Sequence, residues 1–191
     1  MKIYFATHNL NKLKEVNAIL NQYEVIGLND LGITNEIPET GTTLDENAFL
    51  KANYLFENYK IDCFADDTGL EVVSLNGAPG VYSARYAGAQ KDNTANIQLL
   101  LHNLNDTENR AARFRTVICL FLNGQQHTFE GIVNGHITRE LSGSEGFGYD
   151  PVFIPEGYDI TFAEMSLEEK NSISHRGRAI KKLSDYLSPT I

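Results

Sequence analysis

The sequence predicts an α/β protein built on a mixed β-sheet rather than a purely parallel one. Three observations carry that reading. Apolar strand-like runs alternate with helix-period segments over the first 70 residues. The middle of the chain holds a strong hairpin signal, Phe114–Leu122 and Gln125–Val133 joined by Asn123-Gly124. No Pro/Gly/Ser linker divides the 191 residues, so residues 1–191 read as a single domain.

Lys2–Ala6 is a short apolar strand that runs into Thr7-His8-Asn9-Leu10-Asn11-Lys12. A helix follows to about Asn21, with Leu13, Val16, Ile19 and Leu20 at helical spacing. Tyr23–Leu28 reads as a second strand and Asn29–Gly41 as a loop. Thr43 with Glu46 three residues later is a capping box, and it opens a helix whose inner stripe is Leu44, Ala48, Ala52 and Leu55, ending near Tyr59. Cys63-Phe64-Ala65 is a short buried strand ending at Asp66-Asp67-Thr68-Gly69, and Leu70–Leu75 resumes as strand. Asn76-Gly77 signals a turn, residues 77–88 an ordered loop, and Asp92–Asn103 a helix. After the hairpin, Ile137–Leu141 extends the sheet, Ser142–Tyr149 is a loop and Pro151–Ile154 a brief strand. Ser166–Lys170 is a helical turn. The last helix, about Arg176–Leu187, turns Ala179, Ile180, Leu183 and Leu187 inward.

Sixteen Lys and Arg stand against 25 Asp and Glu, a formal net charge of −9. A polyanionic nucleic acid needs a basic face, so it is not an expected partner. No apolar run approaches the roughly 20 residues of a spanning helix, and no secretion signal is evident at the start, so no membrane partner is expected. Cys63 and Cys119 lie in apolar runs and read as buried thiols of a reducing, cytoplasmic compartment.

Five polar segments carry candidate chemistry. Thr7 to Lys12, between strand and helix, offers hydroxyl, amide and ammonium groups suited to phosphate, and equally suits an ordinary helix cap with a solvated lysine. Asp66-Asp67 places adjacent carboxylates after an apolar strand. Such acids call for a cation, and hard oxygen ligands suit Mg²⁺; an Asx-turn before Gly69 is the alternative. Because side chains alternate along a strand, one Asp can face a metal while the other serves as base. Glu39 can add a third carboxylate, with Lys51 two turns into the next helix, although each alone reads as surface. Gly146-Phe147-Gly148-Tyr149-Asp150-Pro151 sets an aromatic ring between glycines, either to stack on a flat base or to anchor the loop in the core. Lys170 to Arg178 gathers cationic groups at a helix start, where they oppose the helix dipole. His residues show no zinc-ligand spacing, and no patterned nucleophile suggests covalent catalysis.

These segments, in this order, resemble the Ham1/RdgB-like family of non-canonical purine NTP pyrophosphatases (inosine triphosphate pyrophosphatases, dITP/XTP diphosphatases). Besides the segments above, Glu46-Asn47-Ala48, Gly80 to Gly88, Thr161 to Met165 and Ser174-His175-Arg176 carry the likeness. The resemblance implies an elongated mixed β-sheet flanked by helices, two lobes around a central cleft, and a homodimer. It implies Mg²⁺-dependent hydrolysis of ITP, dITP and XTP to the monophosphate and pyrophosphate. By matching position, it implies Asp67 as general base and Glu39, Asp66 and Asp67 as the metal cluster. Thr7, His8, Asn9, Leu10, Asn11, Lys12, Lys51 and Thr68 become triphosphate or sugar contacts. Phe147, Gly148, Tyr149, Asp150, Lys170, His175 and Arg176 become the nucleobase pocket. Thr68 departs from the family's usual Ser but keeps the hydroxyl.

Overall fold

The structure, a computed structural model, describes residues 2–188. Its strands are β1 (Lys2–Phe5), β2 (Glu24–Ile26), β3 (Cys63–Val72), β4 (Pro79–Gly80), β5 (Ala111–Leu122), β6 (Gln125–Ile137) and β7 (Phe153–Pro155). The helices are α1 (Leu10–Ile19), α2 (Leu44–Tyr59), α3 (Asn93–Asn103), α4 (Leu167–Ile173) and α5 (His175–Leu187). Hydrogen-bonded order along the sheet is β2-β1-β3-β5-β6-β7, with β4 paired to β3 off this path. β1 is parallel to both β2 and β3, whereas β3–β4 and β6–β7 are antiparallel. The sheet is therefore mixed, as the sequence predicts.

The main departure is β3. It runs unbroken through Asp66-Asp67-Thr68-Gly69, where two strands and a turn were expected. Gly69 explains why no turn forms: a Cβ there would stand 2.7 Å from the carbonyl oxygen of Gly80, so the glycine is what lets β4 pair closely against β3. Helix α1 also starts earlier than expected. The Asn9 side chain accepts from the N–H groups of Asn11 and Lys12, at 2.9 and 3.2 Å, and so places both residues inside the helix. Asn123 and Gly124 both have positive φ, 51° and 77°, the geometry that lets a two-residue turn follow the strand twist between β5 and β6.

The chain forms two compact units. Among the described residues, the first is assembled from residues 2–67, 116–131 and 176–188. Its core packs Ile3 and Phe5 of β1, Val16 and Leu20 of α1, Phe64 of β3, Ile118 and Leu120 of β5, and Ala179, Ile180 and Leu183 of α5. Phe5 and Phe64 stack at 4.5 Å between centroids, which follows from their direct pairing across the parallel strands. The second unit comprises residues 68–115 and 132–175. Leu70, Ile97, Leu100, Phe114, Val133, Phe153 and Phe162 are among its core residues. Among the described residues, no helix is long and apolar enough to cross a membrane.

Cys63 and Cys119 are buried free thiols. Burial pushes both thiols up to about 12, with the Cys119 sulfur and the Asp62 carboxylate adding to the rise at Cys63. At pH 8 the thiolate fraction is then about one in ten thousand, and the thiolate is the reactive form. We expect neither cysteine to react with an aromatic disulfide reagent in the folded protein, and both to react in guanidinium. Stoichiometric labelling of the native chain would contradict this.

Candidate active site

In the first unit, parallel pairing brings the acidic residues to the loop after β1. Phe5 lies opposite Phe64, and the Ala6 N–H donates to the Phe64 carbonyl at 2.8 Å. Asp66 and Asp67 follow two and three residues later, at the level of Thr7 to Asn9. That is the carboxyl end of parallel strands, where α/β proteins place their chemistry.

The two aspartates face different partners, as strand alternation requires. Asp66 is 1% exposed. Its Oδ1 accepts from Lys12 Nζ at 2.7 Å and its Oδ2 from Arg176 Nε at 3.0 Å. The other arm of that guanidinium, Nη1, donates to Glu15 at 2.6 Å. Burial alone would raise the Asp66 carboxyl, but Lys12, Arg176 and Lys51 outweigh it and hold Asp66 well below the usual carboxylate range. Burial draws Lys12 down despite Asp66, with Lys51 and Arg176 pushing the same way.

Asp67 has a different environment. Its Oδ1 lies 3.4 Å from Lys51 Nζ, which also donates to Glu39 at 2.6 Å. Burial lifts the Asp67 carboxyl above its ordinary value, Glu39 and Asp66 add to the rise, and Lys51 and Lys12 oppose it. For Lys51, burial works against the charge, but Asp67, Glu39 and Asp66 together raise it. Lys51 is 8% exposed and Glu39 is half-buried, so the surface placement that each suggests alone does not hold.

The structure also redirects several expected contacts. The cap of α1 is closed by Asn9, and the Asn9 N–H is taken by Thr7 Oγ1 at 3.1 Å, so these helix-start N–H groups are not open to a phosphate. The His8 ring lies 2.9 Å from Asn29 Oδ1 and 3.1 Å from the Asn35 carbonyl, which ties it to the loop after β2. Leu10 and Asn11 are exposed. Arg176, expected at the nucleobase, directs Nε to Asp66 and Nη1 to Glu15.

The second unit holds Thr68, half-buried on β3, and the other expected pocket residues. Asp150, 3% exposed, accepts from Lys170 Nζ at 2.6 Å and from the Phe147 N–H at 2.7 Å. A Cβ on Gly146 would fall 2.1 Å from the same carboxylate, so only glycine fits there. The Lys170 ammonium lies 4.9 Å from the centre of the Phe147 ring, so the ring has a cationic neighbour that the flanking glycines did not suggest. Beyond Gly148, which takes a positive φ, Tyr149 is a core residue whose hydroxyl donates to the Ser83 carbonyl at 2.8 Å. His175 is buried and stacks on Phe114 at 4.5 Å.

Among the described residues, no three His, Cys, Asp or Glu side chains converge as a ready-made metal cluster. The donor set nevertheless fits a divalent cation. Glu39 and Asp67 already share one positive charge, the Lys51 ammonium. Oδ2 of Asp67 is buried with no hydrogen-bond partner among the described residues, and an unmatched buried carboxylate oxygen costs free energy unless a ligand meets it.

Glu15, and the contact of Asn47 with Gly41, were not expected from the sequence. Both were signalled by register: Glu15 lies three residues after Lys12 on α1, and Asn47 falls on the inner stripe of α2, four residues before Lys51.

The acidic pair, its lysines and the buried Lys170–Asp150 pair come from the segments that carry the resemblance, and known proteins match the chain over nearly its whole length. The model of the Ham1 family matches residues 3–186. A protein of Christiangramia forsetii named dITP/XTP pyrophosphatase is 54% identical, covering 98% of this chain and 100% of its own. Two solved structures superpose on the chain, each covering 98% of both partners. They are the Ham1 protein of Staphylococcus aureus (41% identity, TM-score 0.88) and a HAM1 protein of Coxiella burnetii (38%, TM-score 0.89). The chain belongs to the Ham1 family.

Proposed function

We propose that this chain hydrolyses non-canonical purine nucleoside triphosphates, ITP, dITP and XTP, to the monophosphate and pyrophosphate, and so clears them from the nucleotide pool. The observation that carries the reading is the Asp67 carboxylate: buried, raised above its ordinary value, with one oxygen unmatched and the other beside Lys51. Relatives named dITP/XTP pyrophosphatase support the substrate class.

In this reading, water attacks the α-phosphorus, a new P–O bond forms, and the bond to the bridging oxygen of the β-phosphate breaks. Asp67 takes the proton of the attacking water on its carboxylate. A carboxyl raised by burial holds that proton more readily than an exposed aspartate does. Lys51 orients Asp67 through Oδ1, and Lys12 offers charge to the leaving pyrophosphate. Glu39 and Asp67 would hold Mg²⁺, which supplies charge neutralisation of the triphosphate when bound, while Asp66, expected as a third ligand, has both oxygens on Lys12 and Arg176. In the second unit, a 6-oxo purine needs a donor opposite O6, and His175 and Lys170 are the candidates. Adenine presents its own amino donor there, and an unmatched buried polar group costs ~1–3 kcal/mol. A homodimer and a cytoplasmic location complete the proposal, the latter supported by the two free thiols.

Pyrophosphate release measured from inosine, xanthosine, adenosine and guanosine triphosphates, with Mg²⁺ and with chelator, tests the reading. We expect inosine and xanthosine triphosphates to be turned over at least tenfold faster than the common purines, and no turnover in chelator. Equal rates on all four would refute the substrate class.

A further inference from the structure

Asn47 lies in the first turn of α2 and is fully buried. Its Oδ1 accepts from the Gly41 N–H at 2.8 Å, and its Nδ2 is buried with no hydrogen-bond partner among the described residues. Nothing about starting the helix requires this side chain. The Thr43 hydroxyl accepts from the Glu46 N–H at 3.1 Å, and the Glu46 carboxylate accepts from the N–H groups of Thr42 and Thr43, so the capping box is complete without it. A buried amide with an unmatched N–H costs about 1–3 kcal/mol, and a smaller or apolar residue on that stripe would avoid the cost.

What Asn47 does add is a hold on the loop. Gly41 lies so close to α2 that a Cβ on it would stand 2.6 Å from the Glu46 Cβ and 2.8 Å from Asn47 Oδ1. Glu39 is two residues upstream, and its carboxylate meets Lys51, one helical turn beyond Asn47 on the same buried stripe. Asn47 and Lys51 therefore grip one short loop at two points, Gly41 through the backbone and Glu39 through the side chain.

We infer that Asn47 is a positioning residue that sets Glu39 beside Asp67 for a divalent cation by fixing the backbone at Gly41. The inference rests on the reading of Glu39 and Asp67 as metal ligands. Lys51 meets only the end of the Glu39 side chain, whereas the short, fully buried Asn47 amide holds the backbone itself at Gly41. Residues that orient metal ligands without touching the metal typically change affinity by 10–100-fold when removed.

The test is calorimetric titration of nucleotide-free protein with Mn²⁺ as the probe, for the wild type, Asn47→Ala and Thr43→Ala. Thr43→Ala removes the helix cap next door and leaves the Gly41 contact alone. We expect Asn47→Ala to weaken Mn²⁺ binding at least tenfold, and Thr43→Ala to bind within twofold of wild type despite a lower melting temperature. Unchanged affinity in Asn47→Ala, or equal losses in both variants, overturns the inference while the metal reading stands. A wild type that binds no Mn²⁺ overturns both. Should Asn47→Ala fail to fold, nitrogen-15 spectra of the wild type decide: the Gly41 amide and the Asn47 side-chain amide must shift on addition of Mg²⁺, and stationary signals overturn the inference.

Discussion

Asp67→Asn is expected to lower turnover of inosine triphosphate by roughly 10²–10⁴-fold, the range that removal of a general base produces, while leaving the protein folded. The amide matches the carboxylate in shape and keeps an oxygen for Lys51, but it cannot accept the proton of the attacking water. Stability should not fall with activity. A carboxyl whose folded pKa lies above its unfolded one costs stability at every pH above that folded value, because the folded chain must hold the charge where burial opposes it. Asp67 is such a group, so at pH 7 without metal the neutral amide should melt at the same temperature as wild type or higher. Steady-state pyrophosphate release and thermal melts in chelator measure the two quantities. Wild-type turnover in Asp67→Asn would dismiss the residue as the base.

Arg176→Leu is the substitution expected to cost most stability. The guanidinium is 2% exposed and divides its donors between Asp66 and Glu15, themselves 1% and 3% exposed. Removing one member of a buried ionic network leaves uncompensated charge, at about 3–5 kcal/mol. For a chain of this size each kcal/mol shifts the melting temperature by roughly 2–4 °C, which gives a fall of roughly 6–20 °C. Arg176→Lys should recover only part of it, since one ammonium lacks the fork that reaches two carboxylates. The pH dependence has a definite sign. Asp66 is depressed in the folded state, so its stabilisation is fully present above the ordinary carboxylate range near 4 and is lost as pH falls below it. Arg176→Leu should therefore unfold in acid at a higher pH than wild type. A melting temperature within 2 °C of wild type would show that solvent reaches the network.

How far the sequence could be read follows from how local each signal is. The α2 capping box, the Asn123-Gly124 hairpin and the α5 stripe of Ala179, Ile180 and Leu183 depend on residues within a turn or two of one another, and each appears in the structure where expected. The continuity of β3 did not, because Asp-Asp-Thr-Gly looks like a turn unless one knows that β4 lies against Gly69. At the site, the acids and lysines were legible one by one. Their pairing was not, since Lys12 and Asp66 are 54 residues apart and Arg176 and Glu15 are 161 apart. The partners of Arg176 and Phe147 were hidden for the same reason: Asp66 lies 110 residues from Arg176 in sequence, and Lys170 lies well beyond the glycines that flank Phe147.

The link from Glu15 through Arg176 to Asp66 also bears on biosynthesis. A ribosome making this chain releases both acids long before it reaches the arginine that neutralises them. Until residue 176 emerges, the nascent first unit carries two carboxylates bound for the interior with no guanidinium between them. Truncation upstream of that arginine should therefore yield a polypeptide prone to proteolysis rather than a smaller working enzyme.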